Sequence, residues 1–185
     1  ALEGQKFLTL EEALAKKVVV LHETGDVNQL RIENQSQEER VYIQSGDIIK
    51  GGKQDRVIAV DFVVPPDSGK MPIDAFCVER GRWRKRGTEA VSHFNSSTEQ
   101  LNTKELRLAA KARRSQGEVW REVEKSQSRL GANLNRSVQS EQSATSLQLT
   151  LENQDLQTAT ADYLEKLSPI IAEQTDIVGY AFAIN

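Results

Sequence analysis

The sequence predicts an α+β fold, with a β-rich N-terminal half that forms an antiparallel sheet or sandwich and with helices mainly in the C-terminal half. Two observations lead to this prediction. Short apolar runs rich in β-branched residues, separated by turn residues, fill the first 80 positions, whereas helix-capping patterns followed by helical apolar stripes occur after position 114. At 185 residues the chain is long enough for one hydrophobic core, so we expect a single domain over residues 1–185.

The first elements follow from local patterns. Thr9 and Glu12 have the spacing of a capping box, which predicts a helix over residues 10–16. Short apolar runs bounded by turn residues then predict three strands, at residues 18–21, 30–32 and 41–43.

Two longer apolar runs predict the centre of the sheet. Residues 57–64 read VIAVDFVV and stop at a Pro-Pro pair, which predicts one strand. Both alternating faces of this run are mostly apolar, so we expect the strand to be central. A second run at 73–79 follows turn residues at 67–69, and the two runs are expected to pair antiparallel. About five strands are thus predicted in the first half.

The second half shows helical periodicity. Segment 106–110 is compatible with a strand or a helix. A capping-box spacing and an apolar stripe predict a helix over 116–130 with Gly131 as its stop signal. A further helix is expected to begin after Asp155 as N-cap and to end before Pro169. On the stripe of the first of these helices, Trp120 is expected to be a core residue.

Three other stretches complete the prediction. Residues 88–103 are polar and are expected to form a loop, and residues 134–146, rich in serine and glutamine, are expected to form a mobile connector or a weak helix. Residues 177–184 read IVGYAFAI, the pattern of a buried strand. Because this strand would stop one residue before the end of the chain, we expect the domain to continue past position 185.

The stretch between residues 45 and 83 carries most of the chemistry. After a Gly-Gly pair at 51–52, whose backbone permits positive φ, come Lys53, Gln54, Asp55 and Arg56. Cations and backbone amides in such a turn can hold an anion. The same residues also fit a polar hairpin connection with solvated charges. Spacing alone leaves both interpretations open.

A second charged group follows the apolar run at 73–79. Glu79 lies near the predicted core and needs a partner, and Arg56 and Arg82 are the available cations. A structural interpretation is an ion pair that closes the end of the sheet, and a functional one is a pocket for a phosphate-bearing ligand. Several arginines surround Trp83, which suits single-stranded nucleic acid or, alternatively, a charged connector with Trp83 in the core.

These motifs resemble those of a known domain family. GDIIKGGKQDR at 46–56, VPP, and CVERGRW at 77–83, together with LTLEEAL and QGEVWREVEKSQSRLG, are similar to the signature of the family named for its association with ADP-ribosylglycohydrolases and the rhodanese-phosphatase superfamily. The resemblance implies nucleotide, ADP-ribose or RNA-repair contexts and no assigned reaction. At Arg80 the chain departs from the glutamine of the family pattern. With the resemblance, the candidate ligand-binding residues are Lys53, Gln54, Asp55, Arg56, Glu79, Arg82 and Trp83.

Composition limits the remaining classes of function. A net charge of -3 gives no overall attraction to nucleic acid or anionic membranes, and no apolar run is long enough to span a bilayer. A single cysteine excludes an internal disulfide, and two histidines and one cysteine without close spacing do not indicate a zinc site. Metal binding by carboxylates stays open but has no support in the sequence. Cys77 could form a nucleophile–base pair with His22 or His93, but a cysteine in a strand is more typical of an inert core residue.

Three classes of function are compatible with the sequence. We favour a binding or accessory module for an anionic or nucleotide-like ligand, because no catalytic constellation can be recognised. The alternatives are an enzyme of nucleotide, ADP-ribose or RNA-end metabolism, and a purely structural or protein-interaction domain. The sequence determines neither the cofactor nor the oligomeric state, and the support for a nucleic-acid partner is weak.

Overall fold

A computed structural model of the chain describes residues 4–82, 94–97 and 103–172. The fold is α+β, with strands in the N-terminal half and helices mainly in the C-terminal half. The elements, in chain order, are β1 (Phe7–Thr9), α1 (Leu10–Ala15), β2 (Val19–Glu23), β3 (Gln29–Asn34), β4 (Arg40–Ile43), β5 (Ile48–Gly51), β6 (Arg56–Ile58), β7 (Phe62–Val64), β8 (Met71–Cys77), β9 (Phe94–Ser96), α2 (Lys104–Lys111), α3 (Gln116–Leu134), α4 (Leu147–Leu151) and α5 (Gln154–Ile171).

The strands form two sheets. The larger has the order β2-β3-β8-β6-β5-β9, and every neighbouring pair in it is antiparallel. The smaller has the order β1-β4-β7, in which β4 and β7 are antiparallel and β1 and β4 are parallel. The predicted fold class, an antiparallel-rich sheet structure followed by helices, is therefore confirmed.

The predicted single strand at 57–64 is divided between the two sheets. Its first part is β6 of the larger sheet and its last part is β7 of the smaller sheet. Between them Asp61 Oδ1 accepts a hydrogen bond from Ser45 N at 2.8 Å, and Ala59 N donates to Asp74 O at 2.9 Å. The single-strand prediction was wrong because an apolar run does not show where a chain crosses from one sheet to another.

The pairing of β6 with β8 is confirmed, and both faces of this pair are buried. Ile58 and Ala75 face a core that includes α1 and the smaller sheet. Val57 and Phe76, the next pair in register, face a second core formed with α2, α3 and α4. The strand is therefore central, as its two apolar faces predicted. Charged residues at the ends of these strands are enclosed by protein on both sides and need partners there.

The other N-terminal predictions are mostly confirmed. The capping box of α1 is complete, because Thr9 N donates to Glu12 Oε2 at 2.7 Å and Glu12 N donates to Thr9 Oγ1 at 3.2 Å. Strands β2, β3 and β4 lie where apolar runs predicted them. β1, β5 and β9 are strands that were not predicted, and β9 falls inside the segment expected to be a loop. All three are short and pair with other segments, β1 with β4, and β5 with both β6 and β9, which local sequence does not reveal.

Segment 106–110, for which the sequence left strand and helix open, is helical and belongs to α2. The two helices predicted in the C-terminal half needed corrections at their ends. α3 continues through Gly131 to Leu134 and ends at Asn135, whose φ is 52°, so Gly131 is not its stop signal. α5 begins after Asn153 instead of Asp155 and contains Pro169.

Residues 135–145 contain no helix, in agreement with a connector. The predicted strand at 177–184, the basic cluster after residue 83 and most of the predicted loop at 88–103 lie outside the described residues. Among the helices of the described ranges, none combines the length and the apolar character needed to cross a bilayer.

Candidate functional site

The hairpin between β5 and β6 folds around two carboxylates. Gly51 N donates to Asp55 Oδ1 at 3.0 Å, and Lys53 N donates to Glu23 Oε1 at 2.8 Å. Positive φ values at Gly51 and Gly52, 123° and 58°, let the backbone turn tightly enough for these bonds. The two amide groups thus bind carboxylates of the protein itself.

Arg56 lies on the face of β6 that looks toward β2. Its side chain is completely buried, with 0 % of its surface exposed. Nη2 lies 3.3 Å from Glu23 Oε2, and Nη1 lies 2.8 Å from the Sγ of Cys77, its partner in register on β8. Because a guanidinium does not lose its charge in proteins, burial at this position requires an anion, and Glu23 supplies it.

Arg82 lies against two buried carboxylates, those of Glu79 and Asp55. Its Nε donates to Glu79 Oε2 at 2.6 Å, and its Nη2 lies 3.6 Å from Asp55 Oδ1. Ser146, which caps α4, donates from Oγ to Asp55 Oδ2 at 3.4 Å. The predicted pairing of Glu79 with an arginine is therefore present, and the partner is Arg82.

We call these five side chains, Glu23, Asp55, Arg56, Glu79 and Arg82, the signature network. It brings together four of the seven predicted site residues. Gln54 is buried next to Arg56, and Lys53 is half-buried. Trp83 lies outside the described residues. Sequence reasoning missed Glu23 and Ser146, which come from distant segments and are brought in only by the strand order and by α4.

A second polar link ties the hairpin to the helices. Lys50 Nζ lies 2.5 Å from Glu152 Oε1, which also accepts from Gln148 Nε2 at 3.1 Å. Gln148 Oε1 in turn accepts from Ser97 Oγ at 2.6 Å. None of these contacts has a signal in the sequence. Together with the signature network, they fix the hairpin against α4 and the start of α5.

Cys77 has the environment of a structural cysteine. Its side chain is buried, and burial raises the pKa of the thiol to about 11, although the nearby Arg56 guanidinium acts in the opposite direction. His22 Nε2 lies 3.1 Å from Glu33 Oε2, and His93 lies outside the described residues. This geometry supports an inert core role for Cys77.

We therefore expect Cys77 to react slowly with iodoacetamide at pH 8, since with a pKa of about 11 only about one thiol in a thousand is then ionised. The neutral thiol is favoured by folding, so its stabilising effect is complete below the ordinary pKa of 9.0 and is lost as the pH rises toward 11. The measurement is the alkylation rate of native and urea-unfolded protein from pH 7 to 10. Equal rates in the two states would contradict this description.

An open cavity of about 500 Å³ adjoins the signature network. Its lining includes Arg80, Trp120 and Arg121. Trp120 Nε1 donates to Glu79 O at 3.2 Å, and the Arg80 guanidinium lies 5.6 Å from the centroid of the Trp120 ring. The ring is thus held by the backbone carbonyl of Glu79, and one cation lies over the ring.

Further bonds fix the walls of this cavity. Thr145 Oγ1 accepts from Arg80 N at 3.1 Å and donates to Arg80 O at 2.8 Å. Gln116, at the start of α3, likewise makes two hydrogen bonds to the backbone of Cys77. Its Oε1 accepts from Cys77 N at 2.9 Å, and its Nε2 donates to Cys77 O at 2.8 Å. Sequence analysis placed Trp120 in the core, whereas it is half-buried and lines the cavity.

Two sheets and a set of helices that meet at buried arginine–carboxylate pairs define an α+β domain with a polar centre and an adjoining cavity. The chain belongs to the ARG and Rhodanese-Phosphatase-superfamily-associated Protein domain family, ARPP-1, whose family model matches residues 1–185. No curated protein and no solved structure matches it. Within the described ranges, no group of three or more histidine, cysteine, aspartate or glutamate side chains is arranged to hold a metal ion.

Proposed function

We propose that the domain is a binding module for an anionic ligand, which occupies the cavity beside Trp120. The observation that carries this proposal is the presence of two guanidinium groups, Arg80 and Arg121, in the lining of one open cavity of about 500 Å³. Guanidinium groups bind phosphate and carboxylate oxygens with paired hydrogen bonds. The lining also contains Glu124, so the cavity combines two positive charges with one negative charge.

The signature network acts as a frame in this proposal. Arg80 directly follows Glu79, whose carboxylate is held by Arg82 and whose carbonyl is held by Trp120. Thr145 holds both backbone polar groups of Arg80. A binding arginine on a fixed backbone loses less conformational freedom when a ligand binds, which favours affinity.

Direct ligand contacts by Lys53, Gln54, Asp55, Arg56, Glu79, Arg82 and Trp83 stay a prediction. For Arg56 and Arg82 we propose a supporting role, because each guanidinium lies against buried carboxylates of the protein. Their removal would then weaken ligand binding by disturbing the frame.

Pyrophosphate is the probe for the proposed function, because it is an anion without a ring or sugar. We expect it to raise the melting temperature of the protein at low salt, with a smaller effect at 0.5 M salt. Replacing both Arg80 and Arg121 by alanine should abolish the rise, since each lost charge-assisted bond costs about 1.5–3 kcal/mol.

Arg129→Ala is the matched control. Arg129 is an exposed arginine on α3 that does not belong to the cavity lining, so its removal lowers the net charge by one, as each of the two cavity substitutions does, but leaves the site intact. An equal response in the double variant and the control would place anion binding elsewhere. The absence of any response in the unchanged protein would refute the proposal.

A further inference from the structure

The indole ring of Trp120 is fixed in place by a hydrogen bond but is only partly covered by other side chains. Its Nε1 donates to Glu79 O, which sets the position of the ring edge, and the side chain as a whole is only half-buried. Its neighbours in the cavity lining are mostly polar, including Arg80, Arg121 and Glu124. A large aromatic ring held in place in an open cavity whose lining includes charged residues is a suitable surface for stacking.

Space for a planar group exists next to this ring. Gly117, one turn before Trp120 on α3, also lines the cavity, and a Cβ atom added to it would meet no atom within 4 Å. Glycine inside a helix is unfavourable compared with alanine. At this position it leaves the cavity open alongside the indole.

The charged side chains around the ring can bind polar groups of a ligand whose flat part stacks on Trp120. Arg80 and Arg121 suit a phosphate, and the Glu124 carboxylate can accept hydrogen bonds from sugar hydroxyl groups or from an amino group on a base. A volume of about 500 Å³ lies within the usual range for small-molecule sites. A flat ring, a hydroxylated sugar and a phosphate occur together in nucleoside phosphates.

We infer that the cavity binds a nucleoside phosphate, with the base stacked on Trp120 and the phosphate bound by Arg80 and Arg121. This inference rests on the proposed function, because it assumes that the cavity binds an anion. It adds that the base contributes directly to affinity.

The test compares AMP with ribose 5-phosphate, which carries the same sugar and phosphate but no base. By calorimetric titration, AMP should bind about tenfold more tightly to the unchanged protein, as is typical of stacking on one aromatic side chain. Trp120→Leu should remove this advantage, whereas Trp120→Phe should retain part of it. Gly117→Leu, which fills the space beside the ring, should weaken the binding of AMP more than that of ribose 5-phosphate.

The outcomes distinguish a failure of the stacking inference alone from a failure of the proposed anion binding. Equal affinities for AMP and ribose 5-phosphate in the unchanged protein would overturn the stacking inference and leave the proposed function standing. An AMP advantage that survives in both Trp120→Leu and Gly117→Leu would place the base elsewhere and would also overturn it. If neither compound nor pyrophosphate binds, the proposed function fails together with the inference. Should Trp120→Leu not fold, Gly117→Leu still decides, because it leaves Trp120 and its bond to Glu79 in place.

Discussion

Replacing Arg56 by alanine is expected to lower the free energy of unfolding by about 3–5 kcal/mol, as is typical when one partner of a buried ion pair is removed. The guanidinium is wholly buried between Glu23 and Cys77. Its loss would leave the Glu23 carboxylate, only 11 % exposed, without its cation and would open a cavity at the end of β6. Urea denaturation followed by circular dichroism measures the change.

A double-mutant cycle separates the charge from the volume. Arg56→Met keeps much of the side-chain volume but removes the charge, and it should still be strongly destabilising. Adding Glu23→Gln should recover part of the loss, because the remaining partner is then neutral. Lys6→Met, in the exposed pair with Glu38, is the control and should change stability very little, because solvent screens an exposed ion pair. A similarly small change for Arg56→Ala would show that the buried ion pair does not stabilise the fold.

Sequence patterns predicted those parts of the fold that depend on local interactions. The capping box of α1 lies within four consecutive residues, and the apolar faces of β6 and β8 alternate along each strand. The division of the run at 57–64 depended instead on contacts of Ala59 and Asp61 with distant segments. Asp61, the only charged residue in that run, was its one visible irregularity. Gly131 is tolerated inside α3 because an unfavourable local preference of about 1 kcal/mol is small compared with tertiary packing.

In the candidate site, too, local sequence patterns do not predict contacts between distant segments. A carboxylate near the core implied a cation, so the pairing of Glu79 with an arginine could be predicted. That the partner is Arg82 and not Arg56 could not be predicted, because it depends on Glu23 of β2 being brought to Arg56 instead. The partnership of Arg56 with Glu23 joins residues 33 positions apart on two strands, β6 and β2, that are not neighbours in the sheet. The cavity beside Trp120 arises only when α3 packs next to Arg80, and no local pattern describes that.

Gly52→Ala is expected to destabilise the protein by about 2–4 kcal/mol, the sum of left-handed backbone strain and overpacking. The φ of Gly52 is 58°, and an added Cβ atom would overlap the Phe94 ring and lie 2.5 Å from Glu23 Oε1. Glu23 holds both Lys53 N and Arg56, so moving it aside disturbs the signature network. The free energy of unfolding in urea is the measurement.

Gly69→Ala is the control that introduces the backbone strain without the side-chain overlap. Gly69 has a φ of 59°, and an added Cβ atom there would meet nothing within 4 Å. It should cost only about 1–2 kcal/mol. The difference between the two variants then measures the contact of residue 52 with Phe94 and Glu23. Equal losses would mean that these side chains move away without cost, and the hairpin would then be too loosely held to serve as the frame that we propose for ligand binding.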